Sequence, residues 1–161
     1  MGSGPMTDPP SVVIDANVAI AICAKEPDKF VNAVAKIDEY AKAGCHFFAP
    51  GVIVAECLFV FCRKLSDGVI SQAEHANAVD AFLQLMSQVN APPTGESSLI
   101  KRAEEIRGGL GCSRSADGIY LALAEKLTIE SATEVVTFDK GMKAQAAASS
   151  ISVPVIVIAT I

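Results

Sequence analysis

Ser11-Val12-Val13-Ile14-Asp15-Ala16-Asn17, residues 11–17, decides how the rest of the chain is read. Its apolar residues are β-branched and stiff, which favours extended backbone over a helical turn. They run without polar alternation, the pattern of a strand buried on both faces. The run then stops on a carboxylate, Asp15. A second stretch repeats the pattern, with Val135-Val136-Thr137-Phe138 leading into Asp139. Ligands in open α/β sheets gather at the carboxyl ends of the strands. The two aspartates can therefore meet if their strands are neighbours.

The segments between these runs are helical in spacing. A helix follows from Asn17. Phe30, Val31, Val34, Ile37 and Tyr40 mark a helix over 28–43 that Gly44 stops. Residues 45–49 form a second strand, and Pro50 suits the first turn of a helix reaching about residue 65. Ser71 with Glu74 three positions on is a capping box for a helix to about residue 89. Residues 90–95 turn, with a short strand before them, and a helix over 96–107 is broken by Gly108, Gly109 and Gly111. Ser113 or Ser115 caps a helix opening at Asp117. A strand over 134–138, a helix over 140–148 and a last strand over 153–158 complete the chain. Such alternation predicts an α/β fold with a parallel sheet covered on both faces.

Composition sets the outer bounds. The 161 residues are 51% apolar and 19% charged, which suits a globular chain rather than a disordered one. The net charge of −5 argues against holding nucleic acid by overall charge, while leaving room for a local basic rim. Trp is absent and aromatics are few, so a base-stacking platform is not expected. No apolar run approaches the ~18 residues that span a bilayer, and no secretory signal is visible. No membrane association is expected, and a cytoplasmic location follows. The opening Gly/Ser/Pro residues 1–6 read as an expression scar. Cys23, Cys45, Cys57, Cys62 and Cys112 are odd in number and form no Cys-x-x-Cys pair, so they read as buried reduced thiols. His46, at a strand edge, and His75, on a solvated helix, stand too far apart in sequence for a zinc pattern.

Four acids remain conspicuous: Asp15 and Asp139 at strand ends, Glu56 as the one charged side chain of residues 52–62, and Asp117 at the head of the apolar helix Ile119-Tyr120-Leu121-Ala122-Leu123-Ala124. Each has an ordinary explanation. Asp15 and Asp139 suit helix caps, Asp117 suits a first-turn position, and Glu56 suits a snorkelling side chain or a partner of Arg102. Carboxylates near a core are costly unless paired or bound to metal, and like charges repel strongly in a low dielectric. A hard cation, Mg2+ or Mn2+, removes that repulsion and prefers oxygen ligands. Four such acids in one small domain point to a cation site.

In these motifs the chain resembles the PIN-domain nuclease family, and in particular the VapC-type toxins of type II toxin–antitoxin pairs. The matching segments are Val12-Val13-Ile14-Asp15-Ala16-Asn17, Ala55-Glu56, Ser115-Ala116-Asp117-Gly118-Ile119-Tyr120-Leu121-Ala122-Leu123-Ala124, and Val135-Val136-Thr137-Phe138-Asp139-Lys140-Gly141. The resemblance implies a three-layer α/β/α sandwich with a mainly parallel central sheet, as a single PIN-like domain over residues 11–161 behind a scar and disordered N-terminus over 1–10. It implies metal-dependent cleavage of RNA phosphodiester bonds to a 5′-phosphate and a 3′-hydroxyl. Asp15, Glu56, Asp117 and Asp139 would form the catalytic and metal-binding site, supported by Asn17 and Thr137. Asp15 and Asp139 would hold the metal more directly, and Asp117 or Glu56 would orient or deprotonate water. The family often has Thr or Ser where this chain has Ala16, which removes a supporting hydroxyl but no ligand.

Arg63, Lys64, Arg114, Lys140 and Lys143 are the candidates for a rim that meets the RNA backbone. The resemblance also implies a cognate antitoxin, whose helix or tail would fill the acidic groove, and a homodimer. The apolar helices around residues 52–62 and 76–89 offer surfaces for it, beside their role in the core. One rival reading is a catalytically idle PIN-like module that binds RNA or protein. Another is a phosphohydrolase with Asp15 as nucleophile. Such enzymes often carry a second Asp two positions on, where this chain has Asn17.

Overall fold

The computed structural model describes residues 8–112 and 116–161. The first strand, β1 (Ser11–Ile14), is buried at every position. Asp15 turns the chain into α1 (Ala16–Cys23), and α2 (Phe30–Lys42) returns it to β2 (His46–Phe48). α3 (Val52–Ser66) and α4 (Gln72–Met86) then lead to the two-residue β3 (Val89–Asn90). A 3-10 turn over Glu96–Leu99 feeds α5 (Ile100–Gly109). The chain ends with α6 (Asp117–Leu127), β4 (Thr133–Thr137), α7 (Lys140–Ala148) and β5 (Val155–Val157).

The five strands form one parallel sheet in the order β3-β2-β1-β4-β5. The alternation of strands and helices read from the sequence is therefore borne out. β1 lies at the centre, which explains why its residues show no polar alternation. Its register with β4 pairs Ser11 with Thr133 and Ile14 with Val136. Just past β1, the Asp15 N–H still donates to the Val136 carbonyl at 3.1 Å, which sets Asp15 beside Thr137, the last residue of β4.

Helices cover both faces. Val13 and Val135 pack with Ile53, Phe61, Leu121 and Leu123 on one side. Val12, Ile14 and Val136 pack with Val18, Ala33 and Tyr40 on the other. Phe61 is fully buried and meets Phe82 edge to face, at 5.9 Å between ring centroids. Gly118 allows α6 to approach α5, because a Cβ there would stand 3.0 Å from the Ala103 carbonyl oxygen.

Several boundaries differ from expectation for identifiable reasons. β4 begins at Thr133, which pairs with Ser11, and ends at Thr137, because the Phe138 N–H is taken by the Asn17 side chain at 3.1 Å. The helix expected to reach residue 89 ends at Met86, and Val89 is recruited to the sheet edge beside Phe47. The capping box of Ser71 and Glu74 is present in both directions. The proposed caps Ser113 and Ser115 lie outside the described residues.

The thiols divide. Cys23 and Cys57 are buried and Cys45 half-buried, but Cys62 and Cys112 are exposed, so the reading of all five as buried does not hold. α3 buries only Ile53, Cys57 and Phe61, one residue per turn, and leaves Val54, Leu58 and Phe59 exposed. An apolar residue on this helix is therefore no guide to burial. Phe61→Ala is expected to cost about 3–5 kcal/mol, the range for emptying a buried aromatic site, read as a lowered urea midpoint at unchanged slope.

Candidate active site

The carboxyl edge of the sheet is organised by the Thr137 hydroxyl. It donates to Asp15 Oδ2 at 2.7 Å and accepts from the Asp139 backbone N–H at 2.9 Å. Asn17 closes the group. Its Nδ2 donates to Thr137 Oγ1 at 3.1 Å while its Oδ1 accepts from the Phe138 N–H. The ends of β1 and β4 are thus tied by side chains where the ladder stops. Asn17 and Thr137 both fall where the sequence placed them, beside Asp15.

Asp15 does serve as the N-cap of α1, its Oδ1 accepting from the Ala16 N–H at 2.7 Å. Asp139 caps α7 in the same manner, through the Gly141 N–H. Asp117 is the first residue of α6, where the helix dipole favours negative charge. Glu56, in the second turn of α3, does not pair with Arg102, which is engaged by Glu125 and Glu105. Its Oε1 instead accepts from the Tyr120 hydroxyl at 2.7 Å. Tyr120 is fully buried on α6 and was read from the sequence only as an apolar helix residue. Its position three residues after Asp117, on the same helix face, was the available signal.

Asp15 is 6% exposed and Asp117 8% exposed. Burial pushes the Asp15 carboxyl up from 3.8 to about 7; the charges of Asp117 and Glu56 act in the same direction, and hydrogen bonds from Thr137 and Ala16 hold it back. Burial also raises Glu56, with Asp117 adding to the rise and the Tyr120 hydroxyl opposing it. The structure thus brings Asp15, Glu56 and Asp117 into one electrostatic group. Asp139 is exposed at its margin, joined to Asp15 through Thr137.

Among the described residues, no three His, Cys, Asp or Glu side chains stand close enough to form a closed metal cage. Mg2+ seldom uses such a cage; it keeps several waters and takes one or two carboxylates together with substrate phosphates. An all-oxygen donor set whose members raise each other's pKa fits a hydrated hard cation and not a soft one.

The basic residues are dispersed. Arg63 pairs with Asp67 at 3.5 Å, and Lys64 pairs with Glu26 at 2.9 Å. Both lie about two turns along α3 from Glu56, roughly 10–12 Å at the helical rise. Lys140 and Lys143 are exposed on α7, directly after Asp139. Arg114 lies outside the described residues. No helix among them is long and apolar enough to cross a membrane.

This topology and acidic edge define a class, and comparison with known proteins supplies its name: the PIN-domain family model matches residues 12–148, and the chain belongs to the PIN-domain family. Among curated proteins it is similar to Ribonuclease VapC3 of Mycobacterium tuberculosis, in the CDC 1551 / Oshkosh and ATCC 25618 / H37Rv strains. Identity is 31% over 125 residues, covering 78% of this chain and 82% of the relative. Among solved structures, VapBC2 from Rickettsia felis, bound to a DNA fragment from its promoter, shares the fold at a TM-score of 0.63 and 13% identity, covering 92% of this chain and 99% of that one. FitAcB from Neisseria gonorrhoeae does so at a TM-score of 0.57 and 17% identity, covering 90% and 96%.

The raised Asp15 pKa makes a prediction about stability. Its folded value exceeds its unfolded one, so the folded state holds this proton more tightly. That contribution is fully present below pH 3.8 and is lost as pH rises to about 7. In EDTA at pH 8, Asp15→Asn should therefore melt above the wild type by a few °C, and the gap should close as pH is lowered. Differential scanning calorimetry of both proteins across pH checks this; equal melting temperatures at pH 8 would contradict it.

Proposed function

We propose that this chain is a metal-dependent endoribonuclease, the toxin of a toxin–antitoxin pair. The observation that carries the reading is the burial of Asp15 against the charges of Glu56 and Asp117, which is unfavourable without a cation. The similarity to a VapC ribonuclease supports RNA as the substrate. A cytoplasmic location accords with such a substrate.

Asp15, Glu56, Asp117 and Asp139 are the residues from which one or two carboxylates at a time would hold a hydrated Mg2+ or Mn2+. The ion would supply positive charge to the phosphate and acidify a water. Thr137 and the Ala16 N–H fix both oxygens of Asp15, so its carboxylate does not need to reorganise when substrate arrives. Tyr120 fixes one oxygen of Glu56. Glu56 is only half-buried and burial raises its pKa above the usual carboxylate value, which suits the group that takes the proton from the attacking water. Asp117 is more deeply buried and stands at the start of α6. Asp139, at the exposed margin, stands where substrate enters. Water attacks phosphorus, the 3′-oxygen leaves and is protonated, and the products carry a 5′-phosphate and a 3′-hydroxyl. Lys140 and Lys143 are placed to meet the RNA backbone.

The structural relatives are named as VapBC and FitAcB assemblies, which supports a protein partner that covers the acidic edge in the resting state. Exposed Val54, Leu58 and Phe59 of α3 give a surface for a homodimer. The open spacing of the acids favours one rival, a catalytically idle module.

The two are separated with purified protein, labelled RNA and calorimetry. Cleavage in Mg2+ or Mn2+ should stop in EDTA and return with excess metal. Glu56→Gln should lower kcat by about 10²–10⁴, the range for loss of a general base. Asp15→Asn should abolish Mn2+ uptake. Cleavage that persists in EDTA would remove the metal mechanism, and absence of both metal uptake and cleavage would favour the idle module.

A further inference from the structure

Lys29 precedes α2, and its Nζ lies over the Phe138 ring, 5.5 Å from the centroid. Phe138 is the residue between Thr137 and Asp139, and its backbone N–H is fixed by Asn17. The ring is half-buried against the α2 side of the sheet. An ammonium seated over this ring stands at the end of β4.

The start of α2 is itself held at that edge. α2 ends next to β2, at the amino end of the sheet, so its first residues stand at the carboxyl end. The segment after β5 ties them there: Asn32 Nδ2 donates to the Ala159 carbonyl at 2.8 Å, and the Ile161 N–H donates to the Asp28 carbonyl at 2.9 Å. Lys29, like Lys25, Lys101, Lys126, Lys140 and Lys143, forms no ion pair among the described residues, whereas Lys36, Lys42, Arg63, Lys64 and Arg102 do; of the unpaired lysines it is the one seated on an aromatic ring. A half-buried cation seated on an aromatic face, at a functional edge and without a carboxylate partner, is available for an anion.

We infer that Lys29 is a substrate-positioning residue that binds a backbone phosphate flanking the scissile one. The inference rests on the ribonuclease reading and adds to it the path of the strand. Glu56 and Asp117 approach the edge from the α3 and α6 side, and Lys29 from the α2 side. A single strand that presents one phosphate to the acids and crosses the end of β4 brings its neighbour to Lys29. Lys140 and Lys143 on α7 line the same crossing.

Lys29→Met retains an unbranched side chain of similar length and deletes the charge, while Lys29→Arg retains the charge. Binding of a labelled single-stranded RNA oligonucleotide is measured against salt, in the Asp15→Asn protein so that no cleavage intervenes. Each phosphate contact on a single strand contributes about 0.7 to the slope of log affinity against log salt. Lys29→Met should reduce that slope by about 0.7 and weaken binding about fivefold at ~0.1 M salt, with Lys29→Arg close to the parent. In the cleaving protein the same change should raise KM and leave kcat nearly unchanged, the signature of a contact made equally in ground and transition states. A lowered melting temperature with an unchanged salt slope would show a purely structural lysine and overturn the inference. RNA cleavage with a slope indifferent to Lys29 removes the inference and keeps the nuclease. A Lys29-dependent slope without cleavage in Mg2+ or Mn2+ keeps Lys29 as an RNA phosphate contact but removes the nuclease, and the substrate-positioning role is overturned with it. No binding and no cleavage removes both.

Discussion

The hydrogen bond from Thr137 to Asp15 is the contact on which the acidic edge depends. It joins the residue after β1 to the last residue of β4, and the β1–β4 register makes it available without distortion. A hydrogen bond to a charged group contributes about 1.5–3 kcal/mol. That is not enough to offset burial here, since the Asp15 pKa still stands about 3 units above its ordinary value. The protein therefore holds the carboxylate in position while leaving it electrostatically unsatisfied. A residue whose only task was to cap α1 would have no need of such burial.

Capping and function are nevertheless not rivals in this molecule. Three of the four acids stand at helix starts, and Asp15 and Asp139 do cap α1 and α7. The caps explain why an acid occurs at each position. They do not explain why the helix starts converge. Convergence comes from the parallel sheet, in which β1 and β4 end at the same edge and release their following helices there. Glu56 reaches the group from α3, beyond a different strand, and is held by a tyrosine rather than by a cap. Two unrelated means of support serving one electrostatic group favour a shared ligand over coincidental capping.

The residues that announced this arrangement did so because their environments are extreme. Val12, Val13 and Ile14 are buried on both faces, so a run without alternation was diagnostic. The capping box of Ser71 and Glu74 was legible because it is local in sequence. Contacts made across the fold were less visible. The short strand expected before the 90–95 turn is present as β3, but its bounds were not legible, because Val89 is held there by Phe47 beside it and a two-residue strand has no periodicity to separate it from the helix end. Cys62 and Cys57 sit on one apolar helix, yet α3 is apolar all around its circumference and only the packing distinguishes its faces. Tyr120 looked like core and is core, and its hydroxyl acquires a role only when α3 brings Glu56 to it. Lys29 had no motif at all, since its partner ring lies more than a hundred positions away in the chain.

The distribution of positive charge follows from the same geometry. A chain of net charge −5 that presents buried carboxylates must repel a polyanion unless cations are placed locally. Lys36, Lys42, Arg63, Lys64 and Arg102 are engaged in ion pairs with their own surface acids. The exposed ones among these pairs contribute little to stability, typically about 0–1 kcal/mol, but all of them neutralise the field that those cations would otherwise project. Lys29, Lys140 and Lys143 flank the end of β4, beside the acids instead of opposite them. These three lysines can meet a phosphate chain without neutralising the carboxylates, which remain available to a cation.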